Sequence, residues 1–347
     1  MKKILINGNM GYIGPVVVNH FRKKYPGIEI IGFDRAFFAG CLIDPDLFPE
    51  SSVDIQYFGD VRDFPVNILE GVDAVVQLAA ISNDPMGNSF EKVTLEINYK
   101  AVVAIARQAK AFGVKTFIFA SSCSVYGFAD DRPRTEVSET HPLTAYAKSK
   151  IFTENALKDI ADETFKVTAL RFATACGFSD RLRLDLVLND FVASALSSKK
   201  ISILSDGSPW RPLIHVKDMA RAIDWAAQRK DGDDCLILNA GSNRWNYQVR
   251  DLANAVKEAF GNIQVAINQD AVPDKRSYQV SFDLFEKLAP DHQPIVTLPD
   301  AIVDLKDGLE RCGFKDPHFR ASNLIRLRTL ISLIDKRFIN KDLEKLS

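Results

Sequence analysis

The chain has 347 residues, of which 46% are hydrophobic and 26% are charged, and its formal net charge is −1. This length predicts one large or two medium-sized domains, and the near-zero charge gives no electrostatic reason to expect nucleic acid or an anionic membrane as a partner. No apolar run approaches the roughly 18 residues that would cross a bilayer. The five cysteines are scattered and never spaced C-x-x-C, which favours a reducing cytoplasm over a disulfide framework or a zinc cluster. The histidines show no metal-ligand spacing, so we expect no metal.

The first half of the chain alternates short apolar runs with helical patterns. Strands are predicted at 3–7, 29–34, 54–59, 74–78, 116–121 and 166–172, and the clearest helices at 14–24, 91–112 and 144–162. Apolar strands that alternate with helices are typical of parallel βαβ units. Because a glycine-rich turn separates the first strand from the first helix, we predict an α/β fold with a Rossmann-type, doubly wound parallel sheet.

The pattern is looser in the second half. It predicts helices at 186–197, 216–228 and 248–260, strands at 201–204 and 235–239, and a tail from residue 282 that is rich in helix-forming residues. We therefore predict a dinucleotide-binding Rossmann domain at 1–172, to which a segment near 209–240 returns. Residues 173–347 are predicted to form a smaller α/β domain that binds the substrate.

The turn after the first strand has the sequence Gly8-Asn-Met-Gly-Tyr-Ile-Gly14. The first glycine permits a tight turn, Gly11 lets the backbone approach a diphosphate, and Gly14 lets the helix pack closely with its N-terminus at the phosphates. Tyr12 and Ile13 belong to the same predicted contact with the cofactor.

Two aspartates follow predicted strands close to this turn. Asp34 lies about 20 residues beyond Gly14, where a carboxylate accepts hydrogen bonds from the adenosine ribose and repels a 2′-phosphate, which favours NAD over NADP. Arg35 beside it leaves NADP open, because an arginine can bind that phosphate. Asp60 could accept a hydrogen bond from the adenine amino group or could simply end a strand.

Tyr146 and Lys150 are four residues apart in a helical stretch, so both point to one face of the helix. A free tyrosine has a pKa near 10, and to act as a base near pH 7 its pKa must fall by about 3 units, or about 4 kcal/mol. A nearby lysine cation and the positive nicotinamide ring can supply that together. Ser122 follows the fifth predicted strand, where open α/β sheets bind their ligands. We predict that Ser122 holds the substrate oxygen while Tyr146 exchanges its proton.

With these motifs, the chain resembles the extended short-chain dehydrogenase/reductase family, and within it the NAD-dependent sugar-nucleotide epimerases and dehydratases. The matching segments are Gly8 to Gly14, Asp34, Asp60-Val61, Leu78-Ala-Ala80, Asn98, Ser121-Ser-Cys-Ser-Val-Tyr-Gly127, Tyr146 with Lys150, Leu170-Arg-Phe172, Gly177 and Trp210-Arg-Pro-Leu-Ile-His-Val216.

This resemblance implies a bound NAD, a nucleoside diphosphate sugar as substrate, and a homodimer formed through the helices at 91–112 and 144–162. It implies that Ala79 and Ala80 line the cofactor near the nicotinamide and that Asn98 is a structural or cofactor-adjacent amide. Val61 and Leu78 are expected among the cofactor contacts. Arg211 matches the family's diphosphate-binding arginine.

Arg276 is a second candidate for the substrate diphosphate. A planar guanidinium suits this role because it can bind a phosphate with two parallel hydrogen bonds.

Departures from the family pattern narrow the expected chemistry. Hexose 4,6-dehydratases carry an Asp-Glu pair where this chain has Cys123 and Ser124, so such a dehydratase is not expected. Thr174 stands where 4-epimerases usually have an asparagine that contacts the substrate. Arg181 and Arg183 could reach the substrate, although solvated loop arginines are the simpler interpretation.

These observations favour an NAD-dependent epimerase that works through a 4-keto intermediate. A nucleotide-sugar 4-dehydrogenase or 4-ketoreductase would use the same residues and release its product after one hydride transfer. A catalytically silent dinucleotide-binding regulator would be expected to lack the tyrosine or the lysine, and both are present.

Overall fold

A computed structural model describes residues 1–44, 46–127, 132–268 and 277–346. Its strands are β1 (Lys3–Asn7), β2 (Glu29–Asp34), β3 (Ile55–Phe58), β4 (Ala74–Gln77), β5 (Thr116–Ser122), β6 (Lys166–Phe172), β7 (Thr174–Cys176), β8 (Lys200–Ile203), β9 (Trp210–His215), β10 (Cys235–Ala240), β11 (Asn246–Gln248) and β12 (Gln264–Ile267). Its α-helices are α1 (Gly14–Lys24), α2 (Asp84–Ser89), α3 (Glu91–Leu95), α4 (Val102–Ala111), α5 (Ala145–Ile160), α6 (Val187–Ser198), α7 (Val216–Gln228), α8 (Val249–Phe260), α9 (Asp283–Leu288), α10 (Leu298–Arg311) and α11 (Arg326–Asp335).

The central sheet has seven parallel strands in the order β3-β2-β1-β4-β5-β6-β10. Strands β1 and β4 are almost fully buried, because helices cover both faces of the sheet. On one face the sheet packs against α1 and α7, with Val17 and Ile223 in the shared core. On the other it packs against α4 and α5, with Ile105 and Leu157. The predicted doubly wound, Rossmann-type α/β fold is confirmed.

The glycine-rich turn is held tightly between β1 and its neighbours. Gly8 has φ +90, which disfavours a residue with a side chain, and a Cβ there would lie 2.4 Å from the backbone nitrogen of Ala79. A Cβ on Gly14 would lie 2.1 Å from the carbonyl oxygen of Asn9. Both glycines therefore allow α1 to begin directly against the end of the sheet.

The predicted single helix at 91–112 is interrupted. The structure has α3, then the π-helical segment Glu96–Ala101, then α4. A π-helical segment widens a helix locally and lets a side chain or backbone group point where a regular helix would not place it. Here the segment contains Asn98, whose carbonyl accepts a hydrogen bond from Thr153 of α5 at 2.9 Å.

The second half contributes two smaller sheets, β11-β9-β7 and β12-β8, which pack with α6, α8 and α10. β7 was not predicted as a strand, because it has only three residues. β9 contains Pro212, which cannot donate a backbone hydrogen bond. Within the returning segment, β9 lies in a small sheet, whereas α7 packs on α1 and β10 joins the central sheet beside β6. The domain boundaries themselves stay a prediction.

The C-terminal segment, defined here as residues 319–346, crosses back to the first half of the chain. Leu330, Ile339 and Leu343 are buried in the core that α4 and α5 share with the sheet. Arg62 donates hydrogen bonds to the carbonyl oxygens of Asp342 at 2.8 Å and Leu343 at 3.3 Å. The predicted division into domains 1–172 and 173–347 does not include this contact of the C-terminal segment with the first domain. In the described residues, no helix is long and apolar enough to span a membrane.

Candidate active site

A cavity of about 960 Å³ lies where the central sheet meets the second half of the chain. Its walls come from the carboxyl ends of several parallel strands, the place where open α/β sheets bind ligands. Most residues predicted for the cofactor and the substrate line it. They are Gly8, Gly11, Tyr12, Ile13, Gly14, Asp34, Arg35, Asp60, Val61, Leu78, Ala79, Ala80, Ser122, Tyr146, Lys150, Thr174 and Arg211.

At one end of the cavity, Asp34 anchors the chain after β2. Its carboxylate accepts hydrogen bonds from the backbone nitrogens of Met10 at 3.0 Å and Ala36 at 2.7 Å. Burial raises the pKa of this carboxyl, and the two backbone hydrogen bonds oppose the rise. Asp34 thus joins the glycine turn to the end of β2 and presents its carboxyl at the cavity wall.

Arg35 and Asp60 form an ion pair at 3.2 Å beside Asp34. Asp60 also binds Arg62 at 2.7 Å, and these contacts outweigh partial burial, so the pKa of the Asp60 carboxyl is lowered. Because the charge of Arg35 is already paired with a carboxylate, the structure offers less support for a 2′-phosphate at this end than the bare sequence did.

Asn98 is not among the residues that line the cavity. Its side chain accepts a hydrogen bond from the backbone nitrogen of Ile81 at 2.8 Å and donates to the carbonyl of Ile81 at 3.0 Å and to Ser149 at 3.2 Å. It therefore ties the loop after β4 to α5, which supports the wall from behind. Arg276, the second predicted diphosphate contact, lies outside the described residues.

The other end of the cavity contains the predicted catalytic residues. Thr144 caps α5 by accepting a hydrogen bond from the backbone nitrogen of Ala147 at 3.2 Å, and its hydroxyl donates to Asp84 at 2.7 Å. This fixes the first turn of α5, from which Tyr146 and Lys150 project to one side. The Lys150 ammonium lies 5.3 Å from the centre of the Tyr146 ring.

The charges of this pair are set mainly by burial. Burial raises the pKa of Tyr146 to about 12, while a hydrogen bond with Ser122 opposes the rise. Burial lowers the pKa of Lys150 to about 7, opposed by the charge of Glu154 one turn along the helix. Lys150 donates a hydrogen bond to the carbonyl of Ala120 at 2.6 Å. In the ligand-free protein Tyr146 is therefore a neutral phenol at neutral pH.

A buried ion pair holds α5 to the sheet behind these residues. Glu154 accepts hydrogen bonds from Arg171 of β6 at 2.7 Å and from Ser121 of β5 at 2.5 Å. Arg171 also donates to the hydroxyl of Tyr126 at 3.0 Å. These contacts set the position of Ser122, the residue after Ser121, relative to the catalytic face of α5.

The arginines of the segment 179–185 are buried, so their interpretation as solvated loop residues was wrong. Arg181 forms an ion pair with Glu50 at 2.5 Å, and Arg183 forms one with Asp185 at 2.9 Å. The carboxylates neutralise the guanidinium groups and so offset the free-energy cost of burying them. Arg183 lines the cavity, and its charge opposes the rise in the pKa of Tyr146.

Asn83, a cavity residue next to this arginine, was not among the site residues predicted from the sequence. Its φ is +122, far from the usual range for a residue with a side chain, and its amide donates to Asp185 at 2.8 Å while its oxygen caps α2 at Met86. Strained backbone of this kind persists where surrounding contacts hold it, often at functional sites. The only sequence signal was the turn-forming string Asn83-Asp-Pro85.

Cys123 and Ser124, which replace the acidic pair of the dehydratases, differ in orientation. The Cys123 thiol is buried, bonds the carbonyl of Arg171 at 3.1 Å and is absent from the cavity wall. Burial raises its pKa well above the usual range, so it stays protonated. Ser124 lines the cavity. Neither residue can serve as a carboxylic acid or carboxylate beside Ser122.

The sequence that contains this site matches a known protein family. The model of the NAD-dependent epimerase/dehydratase family matches residues 4–259. The chain belongs to this family.

Individual relatives agree with this assignment. UDP-glucose 4-epimerase 2 of Arabidopsis thaliana is 27% identical over 290 residues, which cover 75% of this chain and 81% of that protein. The structure of UDP-glucose 4-epimerase from Bifidobacterium longum in complex with NAD+ and UDP is 21% identical, with a TM-score of 0.76 over 89% of this chain and 98% of that one. TunA, an NAD-dependent NDP-hexosamine 5,6-dehydratase, is 21% identical, with a TM-score of 0.78 over 92% of this chain and all of the other. Both solved structures share the fold.

The cavity residues of this family member fit NAD. Gly11 lines the cavity, and a Cβ there would have only the carbonyl oxygen of Gly8, at 3.3 Å, among nearby protein atoms, so it would fill space that a diphosphate needs. Asp34 and Asp60 offer carboxylates to the adenosine half, and Ala79 and Ala80 offer an apolar wall. Among the described residues, no group of three or more His, Cys, Asp or Glu is arranged to hold a metal ion.

The low pKa of Lys150 predicts a pH-dependent cost in stability. Because the pKa falls from an ordinary 10.5 to about 7 on folding, the unfolded chain binds more protons between those values, and stability should rise with pH in that window. Replacing Lys150 with Met removes the effect. Lys150→Met should have a larger free energy of unfolding than the unaltered protein. This gain in stability should be greatest near pH 7 and should decline toward pH 9.5, as measured by urea denaturation of ligand-free protein.

Lys148→Met is the matched control, because Lys148 is exposed on the same helix. Its difference from the unaltered protein should not vary with pH. If the Lys150→Met difference were also constant from pH 7 to 9.5, Lys150 would not titrate near neutrality.

Proposed function

We propose that this protein is an NAD-dependent epimerase that acts on a nucleoside diphosphate sugar through a 4-keto intermediate. One observation carries the proposal: Ser122, Tyr146 and Lys150 lie in the same cavity as the dinucleotide-binding residues, without a carboxylic acid at positions 123 and 124. Epimerisation at C4 needs removal of the hydroxyl proton and of a hydride from C4, then return of the hydride to the opposite face of C4 and of the proton to the oxygen. The residues present suffice for the proton.

Tyr146 is the residue that exchanges the proton of the C4 hydroxyl. Its hydrogen bond with Ser122 places both groups where one sugar oxygen can contact them. Burial holds the phenol neutral in the ligand-free protein, so the charge of Lys150 and a positively charged nicotinamide must lower its pKa before it can act as a base. Bound NAD would supply that positive charge and accept the hydride.

Ser122 orients the sugar oxygen, and Lys150 stabilises the negative charge of the phenolate. Lys150 is held by the carbonyl of Ala120 and lies 4.7 Å from the centre of the Phe119 ring, so its position does not depend on the substrate. A cation preorganised in this way favours the charged form of Tyr146 without reorganisation during the reaction.

The substrate end of the cavity is proposed to lie beside β7 and β9, which pair with each other in the small sheet. Thr174 begins β7, Arg211 lies in β9, and both line the cavity together with the buried Tyr278. Burial raises the pKa of Tyr278, and the charge of Arg211 opposes the rise. We propose that Arg211 binds the diphosphate of the sugar nucleotide. The Arabidopsis relative supports a uridine nucleotide as the first substrate to try.

The test is to incubate the purified protein with UDP-, TDP-, GDP- and CDP-sugars, to follow NADH by absorbance and to identify products by NMR. We expect interconversion of C4 epimers without lasting NADH, and we expect Tyr146→Phe to abolish it while NAD binding is kept. Stoichiometric NADH would instead indicate a nucleotide-sugar 4-dehydrogenase, and loss of water from the sugar a dehydratase. Full activity of Tyr146→Phe would remove the tyrosine from the mechanism.

Arg211→Ala should weaken the binding of the sugar nucleotide. Loss of charge-assisted hydrogen bonds to a diphosphate is expected to reduce affinity by about 10- to 100-fold, as measured by calorimetry with UDP. Arg244→Ala is the control, because Arg244 is exposed and absent from the cavity wall. Equal affinity of Arg211→Ala and the unaltered protein would contradict the assignment.

We also propose a homodimer formed through the helical stretches 91–112 and 144–162, which contain α3, the π-helical segment, α4 and α5. Phe152 of α5 is 45% exposed and lies 5.7 Å from the Tyr99 ring, and Phe112 at the end of α4 is 41% exposed. A partly exposed aromatic pair such as Tyr99 and Phe152 is of the kind found at interfaces, and Phe112 is a second exposed aromatic residue on these helices. Sedimentation should give twice the mass of one chain, and Phe152→Asp should reduce it to that of one chain, whereas Val137→Asp, at an exposed site elsewhere, should not. A single-chain mass for the unaltered protein would exclude this dimer.

The expectation of a cytoplasmic enzyme of carbohydrate biosynthesis also stays a proposal. It is supported by the free state of all the cysteines, none of which forms a disulfide in the described residues. Location of a tagged full-length chain by cell fractionation tests it, since recovery in an oxidising compartment would contradict it.

A further inference from the structure

Arg326, the first residue of α11, is a buried cation in the cavity wall. Only 1% of it is exposed, its Nη2 donates to the carbonyl of Arg181 at 2.6 Å, and its guanidinium lies 4.9 Å from the centre of the Phe38 ring. Its Nη1 is buried without a hydrogen-bond partner in the described part of the chain. Burial lowers the pKa of Arg326 to about 10.

Its neighbours show how unusual this is. Arg181 is paired with Glu50, and Arg183 is paired with Asp185. Arg326 forms no ion pair with a carboxylate of the described residues. The carboxylate whose charge acts on Arg326 is Asp185, which is already paired with Arg183. A buried cation without an ion pair of its own carries a large desolvation cost, so this side chain is suited to a site that receives an anion.

The helix that carries Arg326 adds a second positive feature. α11 has ten residues, and no side chain caps its N-terminus at Ile325. Ile325, Arg326 and Leu327 all line the cavity. The first backbone N–H groups of a helix lack partners within the helix, and together they act as a partial positive charge that favours phosphate groups.

Contacts on either side place Arg326 along the cavity. Phe38, on which its guanidinium stacks, is four residues beyond Asp34 at the adenosine end. Arg181, whose carbonyl it binds, is two residues from Ser179, and the Ser179 hydroxyl donates to the carbonyl of Tyr12 in the glycine turn at 2.6 Å. Arg326 thus contacts the loop that follows Asp34 on one side and, on the other, the segment that is bonded to the glycine turn, the part of a Rossmann domain that receives the diphosphate of its dinucleotide.

We propose that Arg326 and the N-terminus of α11 bind the diphosphate of the dinucleotide cofactor, so that the C-terminal segment clamps NAD against the glycine turn. The guanidinium would form charge-assisted hydrogen bonds with the diphosphate, which in turn supplies its missing counter-charge. The proposal rests on the dinucleotide site of the proposed function and is independent of the sugar that reacts.

The clamp is tied to the first half of the chain at two further points. Asn323 donates to the carbonyl of Gly40 at 2.6 Å, and the Cys41 thiol donates to the carbonyl of Asn323 at 3.1 Å. Gly40 and Cys41 follow Phe38 in the loop after β2. The loop at the adenosine end and the start of α11 are therefore held together, so an anion that binds Arg326 also stabilises the contact between them.

The test is to titrate full-length, nucleotide-free protein with NAD, ADP-ribose and UDP by calorimetry. ADP-ribose carries the diphosphate without the nicotinamide, and UDP represents the diphosphate of the substrate. Arg326→Gln should weaken NAD and ADP-ribose by the same factor, about 10- to 100-fold, and leave UDP unchanged. Arg326→Lys, which keeps the charge, should recover part of the affinity. Arg328→Gln is the matched control, because Arg328 is exposed on the same helix.

A melting curve without ligand separates binding from folding. If Arg326 binds the cofactor, Arg326→Gln should lose little thermal stability without ligand but should gain less from added ADP-ribose than the unaltered protein does. A lower ligand-free Tm with unchanged ADP-ribose affinity would make Arg326 a structural residue and overturn the proposal. Weaker UDP binding alone would assign it to the substrate and overturn the cofactor assignment. Failure of the unaltered protein to bind NAD or ADP-ribose would overturn the proposed function as well.

Discussion

The buried ion pair between Glu154 and Arg171 is the interaction on which the active site depends. Glu154 lies one helical turn beyond Lys150 on α5, and Arg171 lies in β6, so the pair joins α5 to the strand beside β5, which carries Ser122. Both side chains are almost fully buried, and removing either one would leave an uncompensated charge in the core. The pair therefore specifies one position of α5 on the sheet. The proposed proton exchange needs that position, because Tyr146 and Ser122 come from different elements and would both have to reach the same sugar oxygen.

The same ion pair makes a second, less favourable arrangement tolerable. Lys150 is buried beside an aromatic ring and a single carbonyl, and the charge of Glu154 is what keeps its pKa from falling further. A lysine in this environment destabilises the folded protein at neutral pH, where a pKa of about 7 leaves it partly charged. The charge that it carries lies close to Tyr146 and is poorly screened by water. Burial of Lys150 thus lowers the stability of the chain but serves the proposed chemistry, and the charge of Glu154 one turn away limits the fall in the pKa of the lysine.

The parts of the site that could be predicted from sequence are those that lie within a few residues of one another. The glycine turn, Asp34 and the spacing of Tyr146 and Lys150 each follow from a strand, a turn or a single helix, where local geometry decides which side chains share a face. No local pattern marks Arg326, because its proposed role depends on the return of the chain to the cavity more than a hundred residues after Arg211. The burial of Arg181 and Arg183 was equally hidden, since Glu50, the partner of Arg181, is distant in sequence. A charged residue is predicted to be exposed whenever the group that neutralises it is distant in the sequence.

The charges around the cavity show what these distant contacts achieve together. Arg35, Arg183 and Arg320 line it, and each is paired with a carboxylate, Asp60, Asp185 and Asp190 respectively. Such pairs shape and stiffen the wall while adding little net charge. Arg326 differs because its positive charge has no such partner among the described residues, and the N-terminus of α11 adds to it. Arg326 therefore gives the cavity wall a positive charge without an ion pair at the start of α11. A diphosphate bound there and at the glycine turn would contact both the first and the last part of the chain.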